Sequence, residues 1–371
     1  MSDWSLRDKA CIVGVGTTDY GAFPETDAYG LGALAFRHAI EDAGLAYEDI
    51  DGLIVNRIPS YERFAEIARI NPRYCLLTES HGRFSGVSLN LAAQALATGE
   101  ANYVALVYGN DGRSAAAKYG GRPGLWSPWG FTSPGATHAM MFRRHMIEFG
   151  TTSEDLAHIS VAFRSHAVLN PTAVRRDPIT VADHQASRYI CDPLHLLDYC
   201  QINDGGVAWI MTTPDRAKDL AKKPVYLGGY ARQDGFTHAS IPSTDFWYPA
   251  LQSVASEIYP RAGIDRADVD GLMIYDNFTP TVLFSLEGMG FCGQGEGGAF
   301  VRDGRLQLDH GVLPTNTSGG HLSESYMQGW ALITEAVRQL RGECGDRQIP
   351  DCEVIQYICA TNIALSAILH N

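Results

Sequence analysis

Basic clusters, long apolar runs and metal-spaced cysteines are all scarce in this chain. Lys and Arg number 29 against 42 Asp and Glu, for a formal charge of −13. Nucleic-acid binding rests on clustered cations that neutralise phosphates. The Arg175-Arg176 pair is the nearest approach to such a cluster, so no nucleic-acid partner is expected. No stretch reaches the roughly 18 apolar residues that span a bilayer, and Met1–Lys9 lacks the apolar core of a secretory signal. No membrane association and a cytoplasmic location are therefore expected. The eight cysteines are scattered, with no C-x-x-C pair and no metal-ligand rhythm. They read as reduced, mostly buried small hydrophobes, and no metal is expected. Gly14-x-Gly16 follows a strand-like run but lacks the third glycine of a dinucleotide loop.

What is present describes a large α/β protein. With 371 residues, 45% hydrophobic and 19% charged, the chain has room for two ordinary domains or one duplicated one. A duplication is visible. Ala43-Gly-Leu-Ala-Tyr-Glu-Asp-Ile-Asp-Gly-Leu-Ile-Val55 returns without a gap as Ala262-Gly-Ile-Asp-Arg-Ala-Asp-Val-Asp-Gly-Leu-Met-Ile274. In each copy a helix ends at Ala-Gly, an Asp-rich turn follows, and Asp-Gly leads into an apolar strand. A weaker echo pairs the helical runs Leu89–Ala97 and Ala331–Leu340. Each is followed by glycine (Gly99, Gly342) and a strand-like segment, Tyr103–Tyr108 or Val354–Cys359. Fully apolar strands alternating with helices predict mostly parallel sheets covered on both faces. The expected organisation is an N-terminal half over 1–112 plus 189–220, a lid-like helical insertion over 113–188, and a C-terminal half over 221–371. The insertion predicts helices over Thr137–Phe149 and Ser153–Asn170, with His145, His158 and His166 at surface or lid positions. Its Trp126 and Trp129 lean toward a bulky ligand.

The segment Pro314-Thr-Asn-Thr-Ser-Gly-Gly-His-Leu-Ser-Glu-Ser-Tyr-Met-Gln-Gly329 carries the most chemistry. Asn316, Gly319 and Gly320, ahead of a helical run from Trp330 to Leu340, describe a strand, a tight turn and a helix start. Such glycines let the backbone approach a ligand closely, and a helix start offers free N–H groups. Taken alone, they are equally an ordinary capping turn. The segment resembles the thiolase signature, and landmarks across the whole chain are similar to the same superfamily: Cys11-Ile-Val-Gly-Val-Gly-Thr-Thr18, Asn203-Asp-Gly-Gly-Val-Ala208, Tyr275-Asp-Asn-Phe-Thr279 and Leu286–Gly298. The likeness is to sterol-carrier-protein-x type thiolases and to the thiolase-like acyl-CoA aldolases. It implies an α/β thiolase fold, with duplicated pseudo-twofold halves in a layered α-β-α-β-α arrangement. Each half would be a mixed five-stranded sheet, and the helices starting near Ser85 and Tyr326 would be buried side by side.

Thiolases attack with a cysteine at the start of a buried helix. The matching segment, Glu79-Ser-His-Gly-Arg-Phe-Ser-Gly86, puts Arg83 or Gly82 at that place, and neither can become a thiolate nucleophile. Tyr326 stands where the family has its catalytic histidine, and Tyr275 where it has an oxyanion-binding residue. Cys359 coincides with the second thiolase cysteine, a proton-transfer base, or is simply a buried strand cysteine. No acyl-enzyme is expected. The resemblance instead implies retro-aldol cleavage of a β-hydroxyacyl-CoA with a bulky or steroid-type acyl group, to a ketone or aldehyde plus a shortened acyl-CoA. By position Tyr326 is the candidate base and acid, Tyr275 the second donor, and Asp276 the residue that orients Tyr275. His81 is either catalytic or a loop histidine. Arg83, Ser85, Gly319, Gly320 and His321 are candidates for holding the acyl-CoA. Coenzyme A would enter as part of the substrate, with no tightly bound cofactor. The resemblance further implies a small OB-fold and zinc-ribbon partner protein, and a homodimer at the core of a heterotetramer. Two other functions stay open: an acyltransferase (thiolase) using Cys359 or Ser85 as nucleophile, and a non-catalytic acyl-CoA-binding subunit.

Overall fold

The computed structural model describes residues 4–116, 127–131, 133–234, 243–302, 304–361 and 363–371. Its strands are β1 (Cys11–Thr17), β2 (Gly52–Asn56), β3 (Tyr74–Thr78), β4 (Tyr103–Asn110), β5 (Tyr189–Cys191), β6 (Leu194–His195), β7 (Gly205–Thr212), β8 (Val225–Asp234), β9 (Gly271–Ile274), β10 (Val354–Cys359) and β11 (Ile363–His370). The helices are α1 (Ala28–Ala43), α2 (Tyr61–Ala68), α3 (Phe84–Ala97), α4 (Pro134–Phe149), α5 (Ser153–Leu169), α6 (Val181–Ala186), α7 (Pro214–Ala217), α8 (Tyr248–Ala262), α9 (Thr279–Gly288), α10 (Gly297–Val301), α11 (Gly320–Ser323) and α12 (Trp330–Arg341). None of these is long and apolar enough to cross a membrane.

The residues shared by the two sequence copies are the ones that hold the backbone. Gly44 and Gly263 end α1 and α8 in the left-handed region, at φ 68° and 69°, where a side chain is strained. Asp49 and Asp268 each accept the N–H three residues earlier, of Ala46 and Asp265, at 2.8 Å. Asp51 accepts from the N–H groups of Asn102 and Tyr103 at the start of β4. Asp270 accepts from Glu353 and Val354 at the start of β10. The duplication therefore extends to the placement of individual hydrogen bonds.

Alternation along the strands then builds the layers, because successive side chains face opposite sides of a sheet. Val104, Leu106 and Tyr108 of β4 and Val207, Trp209 and Met211 of β7 face a central core, which they share with α3 and α12. Ala105, Val107, Ala208 and Ile210 face α1 and α2 on the outside. In the second half Met273, Tyr357, Leu365 and Leu369 face the central core, while Leu272, Ile274, Ala364 and Ile368 face α8, α9 and the insertion helices α4 and α5. The result is α-β-α-β-α, as the resemblance implies. The central helices are clasped from both sides. Trp330 of α12 stacks on Trp209 at 4.2 Å between centroids, and Ser85 of α3 reaches Tyr357 of β10.

Two separate five-stranded sheets are not what forms. The strands join into one nine-stranded sheet in the order β3-β2-β4-β7-β1-β8-β11-β10-β9. Its halves are stitched between β1 and β8 by only two residue pairs, Cys11–Tyr226 and Ile12–Val225. The place that β3 takes beside β2 is reduced, beside β9, to a single parallel bridge from Leu272 to Thr315. The chain there leaves the sheet early because it must turn into the loop that carries the site.

Candidate active site

Tyr275 follows β9 and, like Met273 two residues before it, faces the central layer. The residue ahead of it is held unusually firmly. Asn316, in a left-handed conformation at φ 51°, accepts the Ile274 N–H at 2.7 Å and donates to the Ile274 carbonyl at 2.8 Å. An amide side chain thus does the work of a neighbouring strand. The Tyr275 ring lies over the bare Cα of Gly82, where any Cβ would overlap it. Its hydroxyl is 2.8 Å from that of Tyr326. Burial first, then the neighbouring Tyr326, raise the Tyr275 pKa well above the ordinary phenol value, so this hydroxyl stays protonated.

Asp276 points the other way, into the turn that opens α11. Its carboxylate accepts the N–H groups of His321 at 2.9 Å and Leu322 at 3.2 Å. His321 Nε2 accepts the Gly329 N–H at 2.9 Å, which leaves the ring proton on Nδ1, 3.1 Å from Asp276 but off the hydrogen-bond line. The imidazole packs edge-on against both tyrosines, at 4.8 Å from Tyr275 and 5.1 Å from Tyr326. Gly319 and Gly320 have positive φ, and the space they leave is filled. A Cβ on Gly320 would strike the Asp276 carboxylate, and one on Gly319 would meet Ala167 of α5. The close approach that these glycines permit is to protein groups.

The loop ahead of α3 meets this assembly from the first half. Ser85 Oγ donates to the Gly82 carbonyl at 2.9 Å and lies 2.9 Å from the Tyr357 hydroxyl. Among the described residues, its hydrogen bonds go to Gly82 and Tyr357, not to a histidine or carboxylate. Cys359 ends β10 beside Tyr357, fully buried, and burial pushes its thiol up to about 12. That leaves too little thiolate for a nucleophile at neutral pH. Burial, with Arg83 nearby, pulls His81 down to about 4. Arg83 pairs with Glu79 at 3.2 Å and lies over the Phe84 ring. The structure thus brings Tyr275, Tyr326, Asp276, His321, Gly82, Ser85, Tyr357 and Cys359 together from both halves, while Arg83 is occupied at the rim.

Some residues are placed differently from the sequence reading. His145 and His166 are buried, not on a surface or lid. His145 meets Glu287 of α9 at 3.1 Å, and His166 contacts the Asn316 carbonyl at 3.2 Å. Polar partners from distant elements make burial of a histidine affordable. Trp129 is 73% exposed, and Trp126 lies outside the described residues. Three contributors were missed: Tyr357, Gly82 and Asn203, whose Oδ1 accepts the Tyr326 N–H at 2.9 Å. Tyr357 was legible from its spacing of two from Cys359 on an apolar strand. Among the described residues, no group of His, Cys, Asp and Glu is arranged to hold a metal ion.

Comparison with known proteins agrees with this construction. The family described as thiolase C-terminal domain-like matches residues 234–362. The 17-hydroxy-3-oxo-4-pregnene-20-carboxyl-CoA lyase of Mycobacterium tuberculosis is 38% identical over 360 residues, 91% of this chain and 92% of its own. The steroid side-chain-cleaving aldolase of Thermomonospora curvata is 36% identical over 363 residues, 91% of each chain. Among solved structures, the Ltp2–ChsH2(DUF35) aldolase superposes over 98% of both chains with a TM-score of 0.89 at 34% identity. Human mitochondrial 3-ketoacyl-CoA thiolase reaches 0.74 at 15% identity over 99% of both chains, and shares the fold. The chain belongs to the thiolase superfamily, in its branch of thiolase-like acyl-CoA aldolases, which are carbon–carbon lyases.

Proposed function

We propose that this enzyme cleaves a β-hydroxyacyl-CoA bearing a bulky, steroid-type acyl group, releasing a ketone or aldehyde and a shortened acyl-CoA. The observation that carries the reading is the pair of tyrosine hydroxyls 2.8 Å apart, in a site whose buried thiol is held protonated. Tyr275, kept protonated by burial, is the donor of the pair, which leaves Tyr326 as the proton acceptor. Tyr326, entering the step as the phenolate that the Tyr275 hydroxyl donates to, takes the β-hydroxyl proton as the Cα–Cβ bond breaks and the carbonyl of the ketone forms. The electron pair of that bond becomes the enolate of the shortened thioester, whose α-carbon then takes the proton back. Asp276 and His321 hold the two rings rather than exchange protons with the substrate. Coenzyme A is part of the substrate. A small partner with an OB-fold and zinc ribbon completes the CoA site, by analogy with the DUF35-containing aldolase complex, around a homodimer of this chain.

The test is incubation of the protein, alone and with such a partner, with a panel of β-hydroxyacyl-CoAs of differing acyl bulk. Ketone and shortened acyl-CoA should appear in equal amounts. Release of free coenzyme A with an acyl-enzyme, and no ketone, would replace this reading with acyl transfer.

A further inference from the structure

Asn203 stands at the entry to β7 and is only 2% exposed. Both of its oxygens are held by the fold, and its side-chain nitrogen is not. The main-chain carbonyl accepts from Asn110 Nδ2 at 2.8 Å, and Asn110 is itself held by Arg57 and the Gly112 N–H. Oδ1 accepts the Tyr326 N–H. The next residue, Asp204, is clamped by the N–H groups of Phe23, Arg113 and Ser114 and by the Ser114 hydroxyl. Because Oδ1 receives an N–H, the amide can be oriented only one way. Its two Nδ2 donors remain, buried and without a partner. Two residues earlier, Gln201 Nε2 is also unpartnered, on a run that lies along His321 through the Gln201 N–H. Buried donors without acceptors are costly, and rigid unused donors are what a developing negative charge requires.

The cleavage develops such a charge on the thioester oxygen. Near the tyrosine pair, His321 Nε2 accepts from Gly329 and its Nδ1 faces Asp276 at 3.1 Å, the Asp276 oxygens take the His321 and Leu322 N–H groups, and the Ser85 hydroxyl donates to Gly82. We infer that Asn203 is a catalytic residue, whose Nδ2 donates to the thioester oxygen of the bound acyl-CoA and holds the charge gathered there as the Cα–Cβ bond breaks. No bond to that oxygen is made or lost: the electron pair returns to the α-carbon when it is protonated. This rests on the retro-aldol reading for the chemistry, but the contact itself exists with any bound acyl-CoA.

The probe is therefore a saturated acyl-CoA that cannot be cleaved, labelled with ¹³C at the thioester carbon and followed by difference infrared spectroscopy. In the wild type the bound carbonyl band should lie lower than in Asn203→Ala. Asn203→Asp keeps an oxygen for the Tyr326 N–H and removes both donors, so it should show the same loss, and it carries the measurement if the alanine variant does not fold. With a cleavable substrate both variants should lose roughly 10² to 10³ in kcat, a larger factor than any rise in KM. A residue that only props the Tyr326 backbone predicts wild-type kcat in Asn203→Asp and an unmoved band in both variants; that result overturns the inference. A band shift without cleavage of any substrate by the wild type would uphold the contact and reject the retro-aldol reading.

Discussion

The loops that open α3 and α12 occupy equivalent places in the two halves and are built on different principles. Ahead of α12 the turn is tied to buried groups: the Asp276 carboxylate takes two N–H groups, His321 takes a third, and Asn316 grips the strand itself. Ahead of α3, the Arg83–Glu79 pair opens to solvent on the Glu79 side, that side chain being 65% exposed and Arg83 13%. Surface pairs contribute about 0–1 kcal/mol, whereas each hydrogen bond to a buried charge is worth about 1.5–3 kcal/mol. The frame common to both halves thus carries one rigid loop and one lightly held loop. Duplication preserved the scaffold, while both tyrosines of the pair come from the second half. What the first half supplies is room at Gly82, support through Ser85 on Tyr357, and the Asn203 amide behind Tyr326.

If that division is right, the largest loss should come from the rigid side. Tyr326→Phe removes one hydroxyl from a partly exposed ring and should lower kcat by about 10² to 10⁴, with acyl-CoA affinity and melting temperature close to wild type. Full cleavage by this variant would remove Tyr326 from the mechanism.

The next largest effect should come from the first half acting on the second. Gly82→Ala places a methyl where the Tyr275 ring now lies. The ring must move off Tyr326, and the expected cost is that of one lost donor, roughly 10² to 10³ in kcat. Tyr275→Phe should match it, and the double variant should be no worse than either single change. Additive losses would show that Gly82 and Tyr275 act separately.

A smaller effect is expected in stability. Glu324, two residues before Tyr326, is raised from an ordinary 4.5 to about 8, by burial first and by Glu335 second. Between those values the folded protein holds a proton that the unfolded chain has released. Stability should therefore fall as pH rises through that window, by up to about 1.4 kcal/mol per pH unit. His81, His138 and His166, lowered from 6.5 to about 4 mainly by burial, pull the other way around pH 6.5, where the unfolded chain still binds protons there. The Glu324 contribution is therefore read against Glu324→Gln, which shares those histidines. From pH 6.5 to pH 8 the denaturation midpoint of the wild type should fall relative to that of Glu324→Gln. A difference that stays constant over that window would mean Glu324 is ionised when folded.

Least should change at the thiol. Cys359→Ala is expected to leave kcat for cleavage at the wild-type level, since a thiol held near 12 takes no part at neutral pH. A dead enzyme here, together with an active Tyr326→Phe, would restore the acyltransferase alternative.

How much was legible can be read from particular residues. The helix-turn-strand copies were visible because Gly44, Asp49 and Asp51, with Gly263, Asp268 and Asp270, act on nearby backbone or on the start of a strand, and such needs leave residue types at regular spacing. That Tyr275 and Tyr326 stand in the two segments carrying the resemblance was visible by position alone. The burial of His145 was not, because its partner Glu287 lies 142 residues away. Nor was the single sheet, whose seam between β1 and β8 has no motif of its own.

The chain's residues alone determined the duplicated α/β frame, the lack of a cysteine in Glu79–Gly86 and the identity of the two tyrosines, because these depend on local backbone demands and on which functional groups exist. Only the tertiary structure decided which atoms meet. Gly82 under Tyr275, Ser85 against Tyr357 and Asn203 on the Tyr326 N–H join residues 123 to 272 positions apart where a separation is measured. Such contacts are selected by the shared packing of two half-sheets around α3 and α12, and a bare Cα or an unpaired amide acquires its meaning only from what that packing brings beside it.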